Sequence, residues 1–485
     1  MPESLSIPPL ESIDEVQMAR LTAQESFSIE GQRLKMELVE SLIRDRYDIA
    51  RSAVRQRLAP QYHDARALET EVNRQVQQIT FRHMDLGDGR FNLIVEKGDD
   101  EFAPGTHENE DGPERIRPAY SVMVPAHVDT VQGNNVALER SGDRWQGLGV
   151  YDMGVGVLNG IALSVDTRVP AGMKVYWVFT VDEEAHSRGA RLLIEKWDRF
   201  GEIDCIVSSE IGPLPPLRAG DRHMPVITAR TGRQKFVANV NVRPNVQGHM
   251  ALGNIPNATD AMAELLWLMR DRFYRGYRDP AAPSAPPEPA LQKLHDLLGR
   301  EEFESGVITS AKRPGYVPPH TASLDFAIKT VPPSTLAEME ATIKRIAKGI
   351  AKRGNWRDHG IDWSLELNPK EASYAPYEMP SDHPIVQVTR DIVLRVTGVA
   401  PQIMGAPSVA DECDYAQAML KCRHIDTFAG TNAGVITFPP NGDLAHNDGE
   451  YVSRADAARV RYVTKLLLED PQGLQKLMRK PQDRK

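Results

Sequence analysis

Two kinds of hydrophobic pattern alternate along the chain. Ser121 to Ala126 (SVMVPA), Lys174 to Thr180 (KVYWVFT) and Asp204 to Ser209 (DCIVSS) are near-continuous apolar runs of strand length. Helical stretches separate them, a small-residue start over Gly154 to Leu163 and a longer run over Arg188 to Phe200. Unbroken apolar strands divided by helices predict a mainly parallel sheet covered on both faces. Upstream, Leu34, Leu38, Leu42 and Ile43 predict a helix over Glu30 to Leu58. A second helix is expected over Ala65 to Ile79, then a short strand over Phe91 to Val95.

From about residue 233 the period changes. Phe236 to Val242 (FVANVNV) alternates apolar and polar, as a half-exposed antiparallel strand does. A helix over Ala258 to Met269 follows, then strands over Val307 to Ser310 and Ser323 to Lys329. Thr335 to Lys352 is amphipathic and opens with a capping box, Thr335 to Glu338. Trp363 to Leu367 alternates again, so the order is βαββαβ, a ferredoxin-like unit. The proline-rich Asp279 to Pro289 reads as an exposed loop inside it. The α/β pattern then returns, with helices over Pro384 to Val396 and Asp414 to Leu420, a strand over Val435 to Phe438 and a last helix over Ser453 to Leu468. The expected layout is an α/β catalytic domain of residues 1–232 and 370–485, interrupted by a ferredoxin-like α+β lid of residues 233–369. No internal repeat is visible.

Composition narrows the partners. The 485 residues are 41% hydrophobic and 26% charged, as in a globular protein of two domains. With 58 basic and 67 acidic residues the net charge is −9, which argues against a nucleic-acid partner. Met1 to Gln17 carries four acids and no apolar run, unlike a signal peptide. No stretch approaches the about 18 apolar residues of a membrane span. Three scattered cysteines (Cys205, Cys413, Cys422) suit neither a disulfide framework nor a thiolate cage, so a reduced cytoplasmic protein is expected. Cys413 sits among Asp411, Glu412 and Asp414, whose charge disfavours a nucleophilic thiolate.

The chemistry-bearing residues fall where an open α/β sheet places its ligands, at the carboxyl ends of strands. His127 and Asp129 follow the first buried strand, Glu183 and Glu184 the second, and Glu210 the third. Asp152 lies in a glycine-containing turn before a helix, and His446 in a polar loop before the last one. Imidazole and carboxylate without thiolate suit catalytic zinc, cobalt or manganese. A carboxylate can bridge two ions. Asp129 is placed to accept the second ring N–H of His127 and fix its tautomer.

Taken in order, AHVDT, YDMGVG, DEEAHSRGA, SSEIGP and HNDGEYV resemble the M20 family of dinuclear zinc aminoacylases, carboxypeptidases, dipeptidases and deacetylases, over roughly residues 90 to 470. The resemblance implies that His127 and His446 each bind one of two divalent ions, zinc before cobalt or manganese, and that Asp152 bridges them. Glu184 and Glu210 each complete one ion's set, and Glu183 is the general base rather than a ligand. It further implies His249 as an oxyanion donor, often supplied across a homodimer built through the lid, with Asn257 and Ala258 matching the family's Asn-Ala. Glutamate at 210 resembles the deacetylase, desuccinylase and aminopeptidase branches.

Three positions depart from the family's pattern. Ala327 stands two residues after Asp325, where many members have an arginine. The loop Gly405 to Glu412 matches the family's glycine-rich loop only loosely, and Asp448 stands where asparagine is common. The expected function is hydrolysis of an amide bond in a small peptide or N-acyl amino acid. The alternatives are a dipeptidase or aminopeptidase on short peptides using the same site and, in another class, a catalytically silent binding protein. The intact Glu183 argues against the last. His424 and Asp426 repeat the His-x-Asp spacing without a buried strand before them; His186 is a candidate wall of the site and His320 a lid loop residue.

Overall fold

The computed structural model describes residues 12–23, 26–98, 118–133, 138–212, 224–242, 257–274, 293–310, 319–353, 356, 360–368 and 372–478. The chain divides into two compact units, one of Met1–Thr228, Met379–Met404 and Ala410–Lys485, the other of Ala229–Glu378 and Gly405–Val409. The second therefore interrupts the first.

The first unit is built on a sheet whose centre is parallel. Met173–Thr180 pairs with Tyr120–His127, which pairs with Cys205–Ser208, which pairs with Gly434–Thr437. The flanks are antiparallel: Thr80–Asp85 on Phe91–Gly98, Phe91–Gly98 on Met173–Thr180, and Val226–Arg230 against Gly434–Thr437. Every residue of Tyr120–His127 and of Met173–Thr180 is buried, as continuous apolar strands require when both faces are covered. Ile29–Leu58 packs on Val155–Asp166, Asp411–Cys422 on Arg188–Glu195, and Arg454–Glu469 on Pro384–Thr397. Trp177, Phe179, Leu158, Ile161 and Val463 belong to the core between these layers.

Local chemistry sets the boundaries. Ser453 accepts the N–H of Asp456 and caps the last long helix. The helix expected to reach Phe200 stops at Glu195, and a tighter turn over Trp197–Phe200 follows. That turn buries both aromatic rings. Several of the described elements carried too little pattern to be foreseen. The helix Ser12–Ala23 buries Met18 and Leu21, and the edge strand Thr80–Asp85 buries only Met84. A small sheet joins Gly442–Asp443, Tyr451–Ser453, Arg144–Gln146 and Glu139–Ser141.

The second unit is a four-stranded antiparallel sheet in the order Glu302–Ser310, Thr321–Thr330, Gly232–Val242, Ile361–Leu367. Helices Ala258–Tyr274 and Leu336–Ala351 share one core with its inward residues, among them Phe236, Ala238, Leu324 and Phe326. The connectivity is βαββαβ. The capping box forms, with Thr335 accepting from the Glu338 N–H and Glu338 reaching back to the Thr335 N–H. Asp279 to Pro289 lies outside the described residues. Among the described residues, no helix is long and apolar enough to cross a membrane.

Gly160 faces the sheet from Val155–Asp166, the helix that follows the Asp152 turn. A Cβ there would lie 2.9 Å from two ring atoms of Phe179. Phe179 is a buried core residue, so Gly160→Val should lose about 1–3 kcal/mol by overpacking. Denaturant unfolding of the variant beside wild type checks this.

Candidate metal centre at the carboxyl ends of the sheet

Three of the loops that matter leave the parallel strands at their carboxyl ends, and two come from the neighbouring small sheet. His127 is the last residue of Tyr120–His127, and Glu183 and Glu184 follow Met173–Thr180. Glu210 follows Cys205–Ser208, its N–H donating to Ser208 Oγ at 3.0 Å. Asp152 sits in the irregular turn before Val155–Asp166, and His446 in the loop between Gly442–Asp443 and Tyr451–Ser453. His446 holds a left-handed backbone, φ 67°, uncommon outside glycine and asparagine.

Asp152 is the centre of the geometry. Its Oδ1 lies 3.1 Å from His127 Nε2 and its Oδ2 lies 3.0 Å from His446 Nε2. Each imidazole has a second carboxylate: Glu210 Oε2 stands 3.6 Å from His127 Nε2, and Glu184 Oε2 stands 3.0 Å from His446 Nε2. Two half-sites thus share one aspartate, His127 with Glu210 on one oxygen and His446 with Glu184 on the other. Ligand atoms of His127, Asp152 and Glu184 all lie within 4.8 Å of one another.

Asp129 supports both halves. His127 Nδ1 lies 3.1 Å from the Asp129 main-chain oxygen, nearer than the 3.7 Å to its carboxylate Oδ1. The other carboxylate oxygen accepts the Glu184 N–H at 3.1 Å. The ring N–H is therefore oriented by the main chain of Asp129, while its side chain holds the neighbouring loop.

Electrostatics follow from crowding. Burial pushes Glu183 well above the usual carboxylate range, with the charges of Asp411, Glu210 and Glu184 adding to it. Burial likewise raises Glu184 and Asp129. Burial alone would raise Asp152, but hydrogen bonds from His127 and His446 overcome it and hold it well below. Burial would lower His127, and the Asp152 hydrogen bond with the fields of Glu210 and Glu183 instead drives it well up. Five acids around two imidazoles form a donor set of net negative charge. Two divalent ions would neutralise most of it, and nitrogen and oxygen donors without sulfur are what such ions take. The residues fit a pair of divalent metals.

Sequence reasoning missed two supports. Glu450 is fully buried, and its carboxylate accepts the N–H groups of Gly149, Tyr151 and Asp152 at 3.1, 2.7 and 2.8 Å. It thereby ties the His446 loop to the Asp152 turn; an acid four residues past a candidate ligand was the available signal. Asp411 and Glu412 open the helix Asp411–Cys422 and, with His127, Met153, Thr180 and Glu210, line a cavity of about 10 Å³. Thr437 Oγ1 donates to Glu412 Oε1 at 3.2 Å. His249 lies outside the described residues, as does most of the segment before Asn257. His186 is exposed, its main-chain N–H bonded to Asp182, and His424 is an exposed turn residue. His320 belongs to the other unit, at the start of the strand region Thr321–Thr330. Ala327 is buried and pairs with Lys235 on one side and Glu304 on the other.

The model of peptidase family M20/M25/M40 matches residues 123–470. Solved structures share the fold at low identity. Aminopeptidase PepT from Bacillus cereus ATCC 10987 superposes with a TM-score of 0.59 at 12% identity, covering 94% of this chain and 97% of that one. Human carnosine dipeptidase 1 gives 0.55 at 15% identity, covering 95% and 99%. The YXEP protein of Bacillus subtilis, described as a dinuclear metal binding peptidase of the M20 family, gives 0.55 at 11%, covering 94% and 97%. No curated protein matches the chain by sequence.

Hydrogen bonds to Asp152 and Glu184 push His446 up to about 10 from 6.5. In protein stripped of metal, the folded state holds this proton more tightly than the unfolded chain does. The stability it confers is complete below pH about 6.5 and is lost as pH rises through about 10. Unfolding of chelator-treated protein should show stability falling across that window, and His446→Ala should flatten the fall.

Proposed function

The chain belongs to peptidase family M20/M25/M40 and is a hydrolase of amide bonds; from that premise we propose that it cleaves a short peptide or N-acyl amino acid with two divalent ions. The observation that carries this is the Asp152 carboxylate set between His127 and His446, each with its own glutamate. His127 and Glu210 would hold one ion and His446 and Glu184 the other, with Asp152 as the carboxylate that both would share. Zinc fits the donors best, with cobalt or manganese as substitutes.

Bound ions supply Lewis acidity towards the amide carbonyl and bring water's pKa from about 15.7 towards about 7. The protein's residues do the rest. Glu183 takes the proton of the attacking water and returns it to the departing amine, a role helped by the burial that makes its carboxylate more basic. Asp129 keeps His127 in one tautomer and holds the Glu184 main chain. His249 supplies a donor to the tetrahedral oxyanion. The first unit is the catalytic domain and the interrupting unit the lid.

The superposed structures include an aminopeptidase, a tripeptidase and dipeptidases, and also an aminohydrolase and an amidase, so both the short-peptide and the N-acyl readings stand within the proposal. Ala327 stands where the family's arginine would hold a substrate carboxylate, which argues against a free C-terminal carboxylate as the group recognised there. A reducing, cytoplasmic setting fits buried Cys205 and Cys413 without a disulfide.

Chelator-stripped protein, reloaded with zinc, cobalt or manganese, should hydrolyse one class in a panel of dipeptides, tripeptides and N-acyl amino acids. Glu183→Gln should keep both ions and lose about 100- to 10,000-fold in kcat. Full turnover in that variant would remove the base assignment, and two bound ions with no turnover of any substrate in wild type would favour the silent binding protein.

A homodimer through the lid is part of the same proposal. Glu302–Ser310 is an edge strand with Val307 70% exposed, and the helix Ala258–Tyr274 packed on it leaves Trp267 60% exposed. An exposed edge beside an exposed indole is a surface that a second copy would cover. Trp267→Glu should shift sedimentation from dimer to monomer and remove any dependence of the melting temperature on protein concentration.

A further inference from the structure

The loop that carries Glu183 and Glu184 is gripped from behind by residues upstream of the family-matched stretch. Arg90 lies in the turn between Thr80–Asp85 and Phe91–Gly98 and is 2% exposed. Its Nη1 donates to Asp182 Oδ1 at 2.8 Å and to Gln32 Oε1 at 2.7 Å. Its Nη2 donates to Asp88 Oδ2 at 2.7 Å. Asp88 Oδ2 also accepts Arg188 Nη1 at 2.7 Å, and Asn92 Nδ2 donates to the Gly189 carbonyl at 2.8 Å. Both ends of the loop are therefore fastened to one hairpin, Asp182 before the two glutamates and Arg188 with Gly189 after them.

The loop needs this grip. Asp182 has a φ of 70°, and its carbonyl accepts the N–H groups of both His186 and Ser187. The local fold of Glu183 to Ser187 thus hangs on the conformation of a residue that favours other backbone angles. Asp182 is buried, and Arg90 provides its counter-charge. Without that charge the carboxylate gains by turning out to water, and the glutamates next to it move with the main chain.

We propose that Arg90 is a positioning residue for the Glu183–Glu184 loop, and that Gln32 on the helix Ile29–Leu58 makes the N-terminal segment part of that support. This rests on the reading of Glu183 as base and Glu184 as ligand. It gives the N-terminal helix a task beyond covering the sheet. A second link runs the same way: Lys35 Nζ donates to Ser26 Oγ at 3.1 Å, and Ser26 Oγ lies 3.3 Å from the hydroxyl of Thr130, the residue after Asp129.

The same helix supplies its own control. Arg46 pairs with Asp166 at 2.5 Å, fastening Ile29–Leu58 to the end of Val155–Asp166 rather than to the loop. The test uses the metal-loaded full chain with the best substrate of the panel, and hydrogen exchange of the amides of residues 184–189 with and without metal. Arg90→Ala should lower kcat about 10- to 100-fold, the cost usual for groups that orient ligands, with KM little changed. It should also speed exchange at His186, Ser187 and Gly189 in both metal states. Arg90→Lys, which keeps the charge but not the fork, should recover part of both, and Gln32→Ala should shift both in the same direction by less. Arg46→Ala should lower thermal stability and leave kcat and loop exchange as in wild type.

Wild-type kcat and loop exchange in Arg90→Ala would overturn the proposal, as would equal losses in Arg46→Ala and Arg90→Ala. If Arg90→Ala does not fold, Arg90→Lys and Gln32→Ala decide by the same two readouts. Glu183→Gln assayed alongside separates the two ideas. Full turnover there sinks the base assignment, whereas the exchange data still judge Arg90.

Discussion

Everything at this site follows from gathering negative charge where water is scarce. Asp152 is buried, yet each of its carboxylate oxygens faces an imidazole, one from the strand end at His127 and one from the distant loop of His446. Four more acids stand around that pair. Isolated buried carboxylates are expensive, so such a cluster persists only with strong compensation. Two imidazoles compensate in part, and divalent ions are the natural completion. That demand explains why so many loops converge on one end of the sheet and why their main chains are pinned so closely.

The pinning has a common form. Main-chain N–H groups and buried side chains hold the residues that carry charge, so the ligands need not hold themselves. Glu450 gathers three N–H groups of the Asp152 turn. Asp129 takes the Glu184 N–H and offers its own carbonyl to His127. Arg90 fastens Asp182. In each case one buried hydrogen-bonded group joins two segments distant in sequence, and a shift of one loop would be felt by the other. Two half-sites that share Asp152 need that coupling.

The legible parts of the chain were those where a residue's type and its local pattern agree. Apolar strands announced the parallel centre, and His127, Glu184 and Glu210 at their carboxyl ends meet Asp152 and His446 from two other segments. The alternation from Phe236 onward announced the second unit. The antiparallel flanks were harder. Thr80–Asp85 is polar along most of its length because only Met84 turns inward, and no periodicity marks a strand of that kind. The strand Val226–Arg230 follows a stretch without pattern and reveals itself by its pairing in the sheet.

The supports were illegible for a different reason. A ligand is recognisable by its chemistry, since few side chains bind metal and fewer stand at strand ends. A support is recognisable only by its partner. Arg90 in the sequence is one arginine among many, next to an aspartate and a glycine, and its composition predicts a solvated turn. Only the fold buries it and turns its fork towards Asp182 and Gln32. The same holds for Asp129, whose carboxylate looked from sequence like the acceptor for His127 and whose main-chain oxygen lies nearer. Chemistry that acts through direct contact with an ion or substrate leaves a mark in residue type. Chemistry that acts through geometry leaves its mark in three dimensions, and there a buried charge with its partner is the signal to look for.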